Sequence, residues 1–382
     1  MYSILDFGNM IADKGRMDTY IKALRQSVNH ESIVLDIGTG TGIFALLACR
    51  YGAYKVYAIE PNDTIQVAKD LAEANGYSDR IEFIQDISTR VELPERPNVI
   101  ISDLRGRLPL FRHNIPSIID ARRRFLAPDG IMIPAQDTLF AAVVESHSLF
   151  EKYNSPWVND ELGINLRPVV RKVMNTTWGR KISDENLLTE SQHWVTLNYN
   201  AIEVPNVSGM LKWIVKRDGI AHGIRVWFDT EVAPGLGFSN APEQLEHVYG
   251  SEFFPWLEPV SLKSGDGVSV SFQAVLVDED YIWRWNSKIC EQNDPTKVKA
   301  SFNQSSFDAA SLSMEKLRKT EVSFKPELND QGLVDLQIIR LMEKRFSLEE
   351  IARQIKEGFP KKYNDMQQAL IHVSELSSKY SK

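Results

Sequence analysis

The chain has little cysteine, no long apolar run and no excess of positive charge, and each shortage closes off a class of protein. Two cysteines among 382 residues, Cys49 and Cys290, cannot make a disulfide scaffold. Cys49 lies in the apolar stretch "IFALLACRYG", so the pair is expected as buried free thiols in a reducing compartment. No hydrophobic stretch approaches the roughly 20 residues that a membrane helix needs. The start, "MYSILDFGNMIADKG", lacks the cationic head and apolar core of a signal peptide. A cytoplasmic protein with no membrane partner is expected. Lys and Arg number 44 against 51 Asp and Glu, a formal charge of −7, which argues against general nucleic-acid binding. His113, His147 and His222 are scattered and no Cys/His cluster occurs, so no metal site is expected. Internal repeats and low-complexity tracts are also missing.

At this length two or three domains are expected. Residues 1–30 read as an N-terminal helical segment. From 31 to 146, short apolar runs alternate with helical stretches: "SIVLDIG", "KVYAIE", "IEFIQD" and "NVIISD" as strands, "TGIFALLACRYGA", "TIQVAKDLAEANG" and "IPSIIDARRRFLAPDG" as helices. Such alternation predicts an α/β Rossmann-like domain with a parallel sheet, whose ligands bind beyond the carboxyl ends of the strands. From 147 to 325 the period becomes two, as in "GVSVSFQAVLV", where Val268, Val270 and Phe272 share one face. Strands without intervening helices predict an antiparallel β-barrel domain, with Asp218-Gly219 at a hairpin tip and an irregular excursion over 150–190. Residues 326–382 read as a small helical module, either winged-helix-like or carrier-recognising, or equally a plain helical cap on the barrel. Ser347 and Glu350 would form its capping box, and Asp365 would cap a further helix.

"VLDIGTGTG" carries the sharpest chemistry. A strand ends at Asp36, and Gly38, Thr39, Gly40 and Gly42 turn the chain tightly against a ligand before a helix begins. Glu60 ends the second strand, where an acid accepts hydrogen bonds from ribose hydroxyls. After the third strand, Asp86 offers an acceptor for an adenine amino group beside the apolar Ile87. A glycine turn, a ribose acid and an adenine acid on successive strand ends describe an adenosine site without a pyrophosphate. S-adenosyl-L-methionine fits that description best. Taken singly, Glu60 and Asp86 read as ordinary strand-end acids; their register carries the inference.

"MIADKGRMDTYIKAL" resembles the M-x-x-D-x-x-R-x-x-x-Y helix of the protein arginine methyltransferases, here Met10, Asp13, Arg16 and Tyr20. "ARRRFLAPDGIMIPAQDTLFAAVVE", "DGIAHGIRVWFDTEV" and "EPVSLKSGDGVSVSF" are similar to later segments of the same family. The resemblance covers about residues 6–290. It implies a Rossmann-like domain, a β-barrel and a helical arm that forms a homodimer. Arg16 then inherits contact with the cofactor's methionine carboxylate, with Asp36 at the same end.

The family's acceptor loop, S-E-x-M-G-x-x-L-x-x-E, falls on "SDLRGRLPLFR", with Asp103 at the first glutamate and Arg112 at the second. Paired acids suit a guanidinium acceptor; Arg112 reverses the charge. The family's Thr-His-Trp loop falls near His247, Val248 and Tyr249. Only Tyr2 and Phe7 remain of its aromatic N-terminal lid. Asp103 is thus the candidate catalytic residue, orienting the acceptor or taking its proton, with Arg105, Arg112, His247 and Tyr249 as candidate acceptor contacts. For each arginine alone, a surface position or a structural ion pair with Asp103 competes with that role. Arg122 to Arg124 read as a solvated helix face. Three functions stay open: methyl transfer to an acceptor other than protein arginine (a small molecule, natural-product intermediate or peptide), arginine methylation with a rearranged acceptor site, and a catalytically inactive cofactor-binding scaffold.

Overall fold

The computed structural model describes residues 2–159, 161–179, 186–244, 246–292 and 294–381. The chain forms two compact units, Met1–Ala310 and Ser311–Lys382. The first opens with helices α1 (Ile4–Ala12) and α2 (Lys14–Ser27), followed by β1 (Ile33–Ile37), α3 (Ile43–Arg50), β2 (Lys55–Ile59), α4 (Thr64–Ala74), β3 (Ile81–Ile84), β4 (Val99–Ser102), α5 (Asn114–Arg124) and β5 (Ile131–Ile133). The five strands form a parallel sheet in the order β3-β2-β1-β4-β5. Alternation divides β1 between two layers. Val34 packs with Tyr20, Leu24 and Phe44 of α2 and α3, while Leu35 and Ile37 pack with Ile115 and Ile118 of α5. Burying each such side chain contributes about 1.5–3 kcal/mol. The strand order reverses between β1 and β4, so the loops after these strands flank one crevice.

The chain leaves the parallel sheet at Pro134. Strand β6 (Gln136–Glu145) pairs antiparallel with β8 (Gln192–Asn198) and β10 (Gly219–Ala233), so the barrel begins before the expected 146/147 boundary. Between them lie α6 (His147–Val158), α7 (Val170–Met174) and β7 (Asn186–Leu187). This is the expected excursion, and its described part packs Leu149, Phe150, Met174 and Trp178 against Phe253. Residues 160 and 180–185 of that stretch lie outside the described residues. One antiparallel sheet joins β6, β7, β8 and β10 with β11 (Leu236–Ser239) and β12 (Glu252–Leu262). A second joins β9 (Val207–Ile214), β13 (Gly267–Val277), β14 (Asp280–Glu291) and β15 (Asp294–Phe302), before the short helix α8 (Ser306–Ala309). Val268, Val270 and Phe272 are buried in the core between them with Trp256 and Trp285.

Asp218-Gly219 is not a hairpin tip. Strand β9 pairs with β13 and β10 with β6 and β12, so this turn crosses from one sheet to the other. The hairpin of that second sheet turns at Asp278 instead, which adopts φ 55° between Val277 and its partner Asp280. Cys49 is buried, and burial pushes its thiol up to about 11, whereas Cys290 is only half-buried.

The second unit contains α9 (Met314–Lys319), α10 (Asp330–Glu343), α11 (Leu348–Gly358) and α12 (Met366–Tyr380). Its core is Val334, Ile338, Leu341, Ile351, Ile355 and their neighbours. Ser347 and Glu350 form the capping box of α11, and the Asp365 side chain accepts from the Gln368 amide at the start of α12. No strand occurs among its described residues, so the unit is helical without a wing.

Candidate active site

The glycine loop after β1 is fixed from below. The amides of Gly38 and Thr39 both donate to the Ile59 carbonyl at the end of β2. Gly38, Gly40 and Gly42 all take left-handed φ, at 72°, 54° and 81°. Gly40 also lies against the Phe7 ring of α1: a Cβ there would stand 2.5 Å from it. The N-terminal segment therefore covers this loop, with Tyr2 edge-on to Phe7 at 6.1 Å.

Glu60, Asp86 and the glycine loop stand in a row because β3, β2 and β1 are neighbours. Glu60 is buried; its Oε2 accepts from the Gly40 amide at 3.1 Å and its Oε1 from Asn62. Oε2 keeps a free lone pair for a hydroxyl. Asp86 is half-buried and uses Oδ1 on the Ile87 amide, beside the exposed Ile87 side chain. Ser102, opposite Ile37 in register, has a buried hydroxyl with no partner among the described residues. Asp36 points elsewhere. Its carboxylate takes the Thr39 hydroxyl at 2.6 Å and the Ala45 amide at 3.1 Å, leaving 1% of the residue exposed. It thus ties the loop to α3 instead of reaching a ligand's amino-acid end. Burial pushes its carboxyl up to about 7, against the two hydrogen bonds that lower it.

Beyond β4, Asp103 is the centre of a buried ionic cluster. Its Oδ2 accepts from Arg16 Nη2 at 2.5 Å, Arg16 Nε at 2.9 Å and the Tyr249 hydroxyl at 2.5 Å. Its Oδ1 accepts from Arg105 Nε at 3.0 Å. Burial alone would raise the Asp103 carboxyl, but Arg105 and Arg16 outweigh it and hold it at about 2. Arg105 is no surface residue: 4% of it is exposed. Beyond Asp103, its Nη1 donates to Asp137 at 2.7 Å and Thr230 at 2.9 Å, and its Nη2 to Tyr20 at 2.5 Å and Tyr249 at 3.1 Å. All five of its N–H donors are used. Asp137 also accepts from the Tyr199 hydroxyl. One guanidinium therefore ties the loop after β4 to α2, β6, β10 and the Tyr249 loop.

His247 lies beside this cluster and pairs its Nδ1 with Asp13 Oδ1 at 2.9 Å, both side chains buried. Asp13 caps α2 through the Arg16 amide and also accepts from the Val248 amide. Burial would raise the Asp13 carboxyl, but these bonds hold it below the usual range.

Arg107 crosses Gly179 and pairs with the buried Glu252 at 2.5 Å. Arg112 is exposed, at φ 42°, with its guanidinium 5.3 Å from the Phe111 ring centre and no ion pair among the described residues. Burial raises the Tyr2 hydroxyl, as do Asp103 and Asp6, while Arg112 and Arg107 lower it. Arg122 and Arg124 are only half-buried but are tied to the backbone: they donate to the carbonyls of Tyr199, Ile202, Val91 and Ser88. Only Arg123, paired with Glu203, fits that expectation. Among the described residues no His, Cys, Asp and Glu group could hold a metal ion. Nor is any described helix long and apolar enough to cross a membrane.

Sequence reading missed Tyr20, Asp137, Thr230 and Glu252. Tyr20 stood in a quoted motif, but nothing local distinguished the other three.

The family model for ribosomal protein L11 methyltransferase (PrmA) matches residues 18–133. A probable protein arginine N-methyltransferase 6 of Arabidopsis thaliana is 30% identical over 231 residues, 58% of this chain; the chain spans about half (53%) of that relative. Protein arginine N-methyltransferase PRMT10 of Oryza sativa subsp. japonica is 28% identical over 314 residues, covering 71% of this chain and 81% of the relative. Among solved structures, Arabidopsis thaliana protein arginine methyltransferase 10 matches with a TM-score of 0.69 at 23% identity, over 79% of this chain and 97% of that one. The Trypanosoma brucei PRMT1 enzyme-prozyme complex with AdoHcy matches at 0.70 and 18% identity, over 78% and 96%. These two likenesses speak to the fold.

Proposed function

We propose that this chain is a member of the protein arginine methyltransferase family of class I methyltransferases, as its similarity to the relatives supports, and that it moves a methyl group from S-adenosylmethionine to an acceptor other than a protein guanidinium. The residues present suit the cofactor. The left-handed glycines allow close approach, Glu60 Oε2 retains an acceptor site, and the orphaned Ser102 hydroxyl lies at the adjoining strand end. Gly38, Thr39, Gly40 and Gly42 would cradle it, Glu60 the ribose, Asp86 and Ile87 the adenine, and Arg16 the carboxylate. When bound, the cofactor supplies an electrophilic methyl group on a sulfonium. The chain's own contribution is alignment and exclusion of water: Phe7 and Tyr2 cover the glycine loop, and Asp103 and Tyr249 border the place where an acceptor would sit.

The acceptor class rests on one observation. Both oxygens of Asp103 already accept from arginines of this chain, Oδ2 from Arg16 and Oδ1 from Arg105, and the loop's second acid position holds Arg112, a cation with no ion pair among the described residues. A guanidinium would meet a carboxylate already neutralised by two arginines there, and no second acid on the loop. An acceptor with an anionic group, met by Arg112, suits the site better. Arginine as acceptor is the second reading, favoured by the names of the relatives. Mass spectrometry after incubation with S-adenosylmethionine and a Gly-Arg-rich peptide separates the two. No guanidino methylation is expected; robust methylation lost in Asp103→Asn would establish the second reading. Homodimerisation through the excursion is also proposed, supported by Leu162 and Ile164, which are 71% and 60% exposed on it. Leu162→Asp should then shift the mass measured by light scattering to that of a monomer.

A further inference from the structure

We propose that Arg105 is the acceptor-selecting residue of this site: its own guanidinium fills the position on Asp103 Oδ1 that a cationic acceptor would have to take. This rests on the proposed non-guanidinium acceptor and names the residue responsible. Three observations carry it. First, the two oxygens of Asp103 are used differently. Oδ2 is held by Arg16 and Tyr249, whereas the bond recorded to Oδ1 comes from Arg105. Withdrawing Arg105 opens one carboxylate oxygen and leaves the other in place.

Second, Arg105 cannot swing aside. Its five donors reach Asp103, Asp137, Thr230, Tyr20 and Tyr249, and its guanidinium lies 5.2 Å from the Phe228 ring centre and 5.0 Å from that of Tyr249. A planar fork satisfied on every N–H is a fixed part of the wall. Third, the charges balance. Arg16 and Arg105 offset Asp103 and Asp137, so the buried cluster has no net negative charge to draw in a cation. Selection works here by building an internal competitor into the wall, which costs a cationic acceptor its partner and leaves a neutral or anionic one unaffected.

Removing Arg105 alone would strand Asp137, which burial already pushes upward. The test therefore uses the full chain as Arg105→Met/Asp137→Asn, which removes both charges together, beside Arg105→Gln and Arg105→Lys. Calorimetry with S-adenosylhomocysteine verifies the cofactor site, and fluorescence polarisation of a Gly-Arg-rich peptide reads the acceptor site. The expected result is a gain in peptide affinity of about tenfold or more in the Met/Asn and Gln variants, with none in Lys, which keeps the charge. Variants that bind the cofactor product normally but gain no affinity would overturn the proposal, as would an equal gain in Lys. Loss of cofactor-product binding in both Met/Asn and Gln would also overturn it, making Arg105 a structural residue only. Guanidino methylation by the unaltered chain would instead defeat the acceptor reading on which the proposal rests.

Discussion

Asp36 and Asp103 are both buried carboxyls, and their surroundings push them in opposite directions. Asp36 is raised to about 7, chiefly by burial, above the roughly 3.9 of an unfolded aspartate. Between those values the folded state binds more protons than the unfolded one, so Asp36 makes stability fall as pH rises. Asp36→Asn should remove that slope: urea denaturation at pH 5 and pH 8 should show a smaller loss in the variant than in the parent. Equal losses would contradict the assignment. Asp103 has the reverse sign. Held at about 2, it adds stability that is complete above roughly pH 4 and is lost as pH falls toward 2. Asp103→Ala leaves Arg16 and Arg105 buried without it and should cost about 3–5 kcal/mol in a denaturation experiment. A cost below about 1 kcal/mol would mean the cluster is wet.

At the scale of elements, the glycine loop and the helix caps were legible because their chemistry is local. Gly40→Ala should place a methyl group against Phe7 at a φ of 54° and abolish binding of the cofactor product, read by calorimetry. Retention of normal affinity would show that α1 does not lie on the loop. Ser347→Ala removes a capping box and should lower stability by about 1 kcal/mol in denaturation. What stayed hidden depends on distance along the chain. The partners of Arg105 lie 32 residues away at Asp137, 85 at Tyr20, 125 at Thr230 and 144 at Tyr249. No spacing rule links such positions, so an arginine after a strand reads as a surface cation. Asp218-Gly219 misled for a related reason. A turn dipeptide marks a reversal of the chain, while the pairing of its flanks depends on strands far away. Asp36 shows a third limit: the sequence places it at a strand end, but only the path of α3 decides that Ala45 takes its carboxylate.

At the scale of the molecule, the proposed reading has the Rossmann-like sheet supply the cofactor groups, while the barrel brings Tyr249 onto Asp103, His247 onto Asp13 and Glu252 onto Arg107. The unit Ser311–Lys382 has its own core, formed from its own helices. A chain ending at residue 310 should therefore bind S-adenosylhomocysteine within about threefold of the full chain. Isothermal titration of the full chain with S-adenosylhomocysteine should give one site per chain, lost in Glu60→Ala and retained in Arg112→Ala. Absence of binding heat across temperatures, or binding unaffected by Glu60→Ala, would contradict the proposed cofactor site.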